Sequence, residues 1–421
     1  MSTAFKPADI LLPNEKTDIS KWSVVACDQY TSEPEYWKDV ENIVGDKLST
    51  LNMILPEIYL EESDVDTRIE NIHKTMEKYL SSGIFNEYKN SYIYIERIQS
   101  NGILRQGLIG MIDLEEYDYS KGSTSSVRAT EATVVERIPP RIKVRNGACL
   151  ELPHIMILID DENKTVIEPI GENIGSMEKL YDFSLMKNGG SIKGYLVGEN
   201  QKDKIDSALT VLGDKDTFNK KYDLSDTPVL LYAMGDGNHS LATAKAFYEE
   251  LKAKNPDKDM SSHPARYALV EIVNLHSKAL QFEAIHRIVT DVDCDDLLAK
   301  LNDALSLSEN DNGSGQAFTY VCKDTKKKLF IGNKLSNLTV GSLQTVLDDY
   351  IKEKGGKCDY IHGTEVLEKL AQADNSIGFI LPDMLKSELF PTVIKDGALP
   401  RKTFSMGHAE DKRFYIECRK I

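Results

Sequence analysis

The chain has 421 residues, with 51 lysines and arginines against 67 aspartates and glutamates, a formal charge of −16. Hydrophobic residues make up 41% and charged residues 28%, a globular balance that excludes a disordered or fibrous chain. The acid excess opposes phosphate backbones and anionic lipid, so nucleic acid and membrane are excluded as general partners, and an anionic ligand needs a local pocket.

The N-terminus, Met1-Ser2-Thr3-Ala4-Phe5-Lys6, lacks a basic-then-apolar secretory pattern, and no apolar run reaches the ~20 residues that span a bilayer. Helical spacing is expected over 34–51 and, through Ile69, Ile72, Met76, Tyr79 and Leu80, over 65–80, with Gly83 as a stop. Strands at 91–98 and 104–114 flank Asn101-Gly102, a two-residue hairpin signal. A second hairpin is expected from 154–160 and 164–169, turning at 161–163. A helix follows at 202–212, a buried strand at 228–234 and an amphipathic helix at 240–254. Further on come a strand at 266–275, a polar loop at 308–316 and a helix at 342–354 closed by Gly355-Gly356. Strands and helices without regular alternation indicate an α+β fold, a mixed sheet with flanking helices. At roughly 100–200 residues per domain, two or three domains fit this length. The expected division is a mixed region at 1–275 and a C-terminal region at 276–421.

Six cysteines lie scattered with no C-x-x-C pair, and eight histidines include no H-E-x-x-H. The expectation is therefore a cytoplasmic protein with reduced thiols and no dedicated zinc centre. There is no G-x-S-x-G elbow and neither standard nucleotide fingerprint.

The most informative stretch is Gly235-Asp236-Gly237-Asn238-His239-Ser240, between a buried strand and a helix. Its glycines permit a sharp turn, and the helix start offers N–H groups and a partial positive charge to an anion. Asp236 and His239 beside it are candidates for holding a metal or moving a proton. The alternative is a tight turn in which Asn238 or Ser240 serves only as an N-cap. Arg128, Glu131, Glu136, Arg137, Arg141, Lys143 and Arg145 form a second cluster, broken by Pro139-Pro140; arginine grips phosphate or carboxylate with two parallel bonds. A solvated face of Arg–Glu pairs is the other reading. Smaller candidates are Asp28 and Tyr30 after the apolar 24–26 run, His286-Arg287 at a strand end, and Lys402-Thr403 after Pro400-Arg401.

With these motifs in this order, the chain resembles the bacterial and archaeal domain-of-unknown-function family 1015 across nearly its full length. The family's Asp-Gly-His-His-Arg-like signature corresponds to Asp236-Gly237-Asn238-His239-Ser240, so this chain departs from it at Asn238 and Ser240. The signature in turn looks like the phosphate-binding turn of the ParB/sulfiredoxin-like fold, whose members include free-serine kinases. The resemblance implies nucleotide-dependent phosphoryl transfer to a small hydroxyl substrate such as L-serine, or, as an alternative, a non-catalytic nucleotide or phosphometabolite sensor. It implies catalytic roles for Asp236, His239 and Asp28, and phosphate contacts from Gly237, Asn238, Ser240, Arg128, Arg141, Lys402 and Thr403. Tyr30, Glu131, His286 and Arg287 are the implied substrate-binding residues. Mg²⁺ and a nucleotide, ATP or ADP, are the implied cofactors. A small molecule is the implied partner, and the oligomeric state stays open, a homodimer included.

Overall fold

The computed structural model describes residues 3–133, 135–311 and 313–421. They form two compact units: 1–129, 133–280 and 407–421 make the first, and 130–132 with 281–406 make the second.

The first unit is built on a mixed sheet of ten strands among the described residues. Its central run is Ile93–Ile98, Leu104–Asp113, Tyr267–Asn274, Met156–Ile159 and Tyr232–Asp236. The first three pair antiparallel, Tyr267–Asn274 runs parallel to Met156–Ile159, and Tyr232–Asp236 runs antiparallel to the latter. Alternate side chains serve opposite faces. Tyr92 and Tyr94 enter one hydrophobic cluster with Leu241, Ala244 and Tyr248, while Ile93 and Ile95 enter another with Trp37, Val40 and Phe414. Both faces are covered, so the strands read as nearly continuous apolar runs. A third cluster, around Trp22, Met53, Ile72, Met76 and Leu150, lies under the helix Val65–Ser81.

Most expected elements are present. The Asn101-Gly102 hairpin forms, with Gly102 at φ 80°, as do helices at Val65–Ser81, Glu199–Leu212, Asn238–Lys254 and Thr339–Lys354. Two differ. The helix begun at Pro34 stops at Val44, because Gly45 takes φ 57°. The expected hairpin at 154–169 is absent: Asp161 accepts hydrogen bonds from the amides of Thr165 and Val166, turning the chain away, and Met156–Ile159 pairs instead with distant strands. The segment 128–145 becomes a short strand, Val127–Arg128, and a helix, Ile138–Arg145, whose prolines sit in its first turn, where the missing N–H groups need no partner.

The second unit carries a seven-stranded sheet among the described residues, centred on Phe282–Thr290 and Ser376–Ile380.

The last residues of the chain return to the first unit. Arg419–Lys420 pairs with Leu150–Glu151, Leu11 pairs with Cys418, and Val25 with Phe414. Buried charges hold this segment. Arg413 donates to Glu271 at 2.9 Å and to Glu417 at 2.5 Å, and Tyr181 donates to Glu417 at 2.5 Å. Arg105 donates to Glu271 and to the Asp411 carbonyl, while Arg97 donates to the carbonyls of Gly189, Glu410 and Lys412. Burial pushes the Glu271 carboxyl up, but Arg105 and Arg413, with Arg97 behind them, hold it below the ordinary carboxylate range. Removing one partner would leave an uncompensated buried charge. Arg413→Ala is therefore expected to lower unfolding stability by about 3–5 kcal/mol, read as a fall in the urea midpoint.

Candidate functional site

The strand Tyr232–Asp236 ends at a sharp turn into the helix Asn238–Lys254. Gly237 takes φ 79° and ψ 29°, and a Cβ there would lie 3.1 Å from Ile155 Cα, so both conformation and close packing require glycine. Asp236 closes the turn by accepting the Gly237 N–H at 3.0 Å. The N-cap residue, Gly237, has no side chain with which to bond the first amides, and the partial positive charge of the helix start stands at the turn. Asn238 Oδ1 is buried without a hydrogen-bond partner among the described residues.

Asp28 reaches this place from the other end of the sequence. It follows Ala26, whose N–H donates to the Arg413 carbonyl, while the Tyr415 N–H donates to the Val24 carbonyl. This pairing sets Lys412 and Tyr415 beside Asp28. The connecting group is His154, which is buried. Its Nε2 lies 3.1 Å from Ser240 Oγ and 3.5 Å from Asp28 Oδ2, and its Nδ1 lies 2.6 Å from the Tyr415 hydroxyl. Lys412 Nζ sits 3.1 Å from Asp236 Oδ2. Carboxylates and cations thus alternate through Asp28, His154, Asp236 and Lys412.

The electrostatics follow from that alternation. Burial pulls the His154 imidazole down, but the Asp28 carboxylate, then Asp236 and Glu57, pull harder, and the net shift is upward from the ordinary 6.5. Burial pushes Asp28 up, yet His154, Gln29 and Lys412 hold it well below the usual carboxylate range. Asp28 is therefore ionised at neutral pH.

His154, Ser240 and Tyr415 also line a cavity of about 160 Å³, shared with Cys27, Glu57 and Arg141. Among the described residues, no group of three or more His, Cys, Asp and Glu is placed to hold a metal ion. Mg²⁺ needs only one or two carboxylates together with ligand phosphates, and Asp236 is the carboxylate at the turn suited to that, in exchange for Lys412.

The structure thus gathers Asp28, Asp236, Gly237, Asn238, His239 and Ser240 into one place. Other expected residues have different duties. Arg128 is buried and donates to the carbonyls of Ser125, Pro228 and Val229, so its guanidinium pins a strand edge. Arg141 lines the cavity but pairs with Glu57. Tyr30, at φ 53°, stacks on Tyr36 with ring centroids 3.5 Å apart; burial and the nearby Glu410, Glu33 and Asp411 push its hydroxyl up to about 12. The Arg137 side chain lies outside the described residues.

Glu131, His286, Arg287, Lys402 and Thr403 belong to the second unit. There Arg287 is buried and donates to Gln344 and to the carbonyls of Ile285, Arg401 and Lys402. His286 Nδ1 accepts the Leu381 N–H, and the Thr403 hydroxyl donates to the Pro400 carbonyl. Burial pushes the Glu131 carboxyl up, against opposing bonds from the Lys402 and Thr403 amides. Sequence reasoning missed His154, Lys412 and Tyr415. His154 lies 86 residues from Ser240 and 261 from Tyr415, a separation that leaves no spacing signal.

The family model described as Protein of unknown function (DUF1015) matches residues 5–350. The chain belongs to this family. Its fold is similar to that of a mutant free serine kinase in complex with ADP, at TM-score 0.38 and 12% identity, covering 73% of this chain and 91% of that one. It is also similar to a conserved hypothetical protein from Pyrococcus furiosus (TM-score 0.35, 12% identity, 74% and 94% covered). A third likeness is to SbnI with a C-terminal truncation from Staphylococcus aureus (TM-score 0.36, 10% identity, 73% and 82% covered). No curated protein matches the chain.

Because the His154 pKa is raised by folding, its contribution to stability is complete below about 6.5 and is lost as pH rises through the higher folded value. NMR titration of His154 should give a midpoint above 6.5 in the native chain and a lower one in Asp28→Asn. An unshifted midpoint in that variant would refute the pairing.

Proposed function

We propose that the chain binds a nucleotide at the Gly237–Ser240 turn and transfers a phosphoryl group to the hydroxyl of a small metabolite. The strand, turn and helix are read as a ParB/sulfiredoxin-like nucleotide-binding core. The observation that carries this is the uncapped helix start beside Asp28, His154 and Lys412, which supplies phosphate-binding amides, a cation and an ionised carboxylate together.

In this reading the amides of 238–240, at the helix start beside Gly237, cradle the phosphates and Lys412 neutralises their charge. His239, second residue of the helix, contacts the transferred group. The acceptor oxygen bonds to the terminal phosphorus, the bond from that phosphorus to the rest of the nucleotide breaks so that ADP leaves from ATP or AMP from ADP, and the acceptor proton leaves towards Asp28. Such transfer proceeds through a loose transition state, so orienting the hydroxyl matters more than stripping its proton early. Asp28, held ionised by His154, suits that task. Mg²⁺ bound to the phosphates would supply further charge neutralisation, with Asp236 as its protein contact.

One observation favours a second reading, binding without transfer. Arg128 is committed to carbonyls, and Ser240 stands where the family signature has an arginine, so no guanidinium from either position stabilises developing charge.

Calorimetry with ATP and ADP, followed by an assay for ADP released from ATP or AMP released from ADP over hydroxyl acceptors including L-serine, tests both readings. His239→Ala is expected to cut turnover by about 10²–10³ with an unchanged melting temperature. Binding without turnover over the whole panel would select the sensor, and no binding of either nucleotide would overturn the proposal.

A further inference from the structure

The cavity beside His154 has a wall that phosphoryl chemistry does not require. Met53, Leu55, Leu60, Met76, Val144 and Leu152 line it together with the polar His154, Ser240 and Tyr415. These apolar residues belong to the third hydrophobic cluster or pack against it, under the helix Val65–Ser81, so the core forms one wall of the space. Its volume is about 160 Å³, close to the ~150 Å³ that accommodates a benzene ring. Unfilled apolar space destabilises a fold, because the lining atoms lose contacts on one side. The charged groups on its wall are engaged with protein partners: Glu57 with Arg141, Glu151 with Arg145 and Arg419, and His154 with Asp28.

Resting on the functional reading above, we propose that this cavity takes the apolar body of the acceptor. The substrate class is a hydroxyl compound with an uncharged group of aromatic-ring size, its hydroxyl end at His154 and Ser240. A small polar alcohol such as L-serine would leave the apolar wall uncovered and bring its own charges against it, which is unfavourable on both counts. The polar residues fix the hydroxyl and the apolar wall selects the body, the usual division in small-molecule sites.

The test uses the full chain and 2-phenylethanol, with glycerol and L-serine as polar controls. Calorimetry should show 2-phenylethanol binding at least tenfold more tightly than either control. The methyl resonances of Met53 and Met76 should shift on its addition, which places it without any substitution. Ala148→Phe, at another lining position, should abolish this binding while ADP affinity stays within twofold; Leu152→Phe replaces it if that variant does not fold. Equal, weak binding of all three alcohols, or binding that leaves the Met53 and Met76 methyls unmoved, overturns the proposal. Nucleotide binding then still stands or falls by itself. If 2-phenylethanol shifts these methyls but ATP and ADP do not bind, the cavity assignment holds and the phosphoryl-transfer reading fails.

Discussion

The Arg413–Glu271 pair is the interaction on which the candidate site depends. Glu271 lies in the middle of the sheet and is fully buried, while Arg413 belongs to the last residues of the chain. Their contact, extended by Glu417, Arg105 and Arg97, draws the 410–420 segment across the sheet. That segment delivers Lys412 to Asp236 and Tyr415 to His154. A buried ion pair adds little net stability compared with apolar packing, but losing either partner leaves a buried charge uncompensated. It therefore specifies where the C-terminal segment runs more than it strengthens the fold.

The site has the same logic at smaller scale. Asp28 and His154 hold each other in their charged forms, and Lys412 lies within ion-pair distance of Asp236. A chain of net charge −16 repels anions at long range, yet screening confines that repulsion to about 10 Å at moderate salt. A local cation and a helix start can outweigh it for a small ligand, though not for a polymer of phosphates.

Much of this was legible in the sequence, for local reasons. The periodicity of Ile69, Ile72, Met76 and Tyr79 marked its helix because a 3.6-residue repeat needs no distant partner to be read. Asn101-Gly102 marked its hairpin because few residues accept the turn's backbone angles. Gly237 marked the strand-to-helix turn for the same reason. Arginines were the least legible. Arg128 and Arg287 looked like anion contacts, but each is occupied by carbonyls left at strand ends and loops, a demand that only the folded backbone creates.

By itself, the sequence determined most of the local elements, the family and the glycine turn that forms one side of the site. Each depends on composition or on residues within a few positions of one another. Tertiary structure alone decided that His154 bridges Asp28, Ser240 and Tyr415, and that an apolar cavity lies beside them. Those contacts join segments between 86 and 261 residues apart, through a buried charge network whose pairings no local pattern encodes.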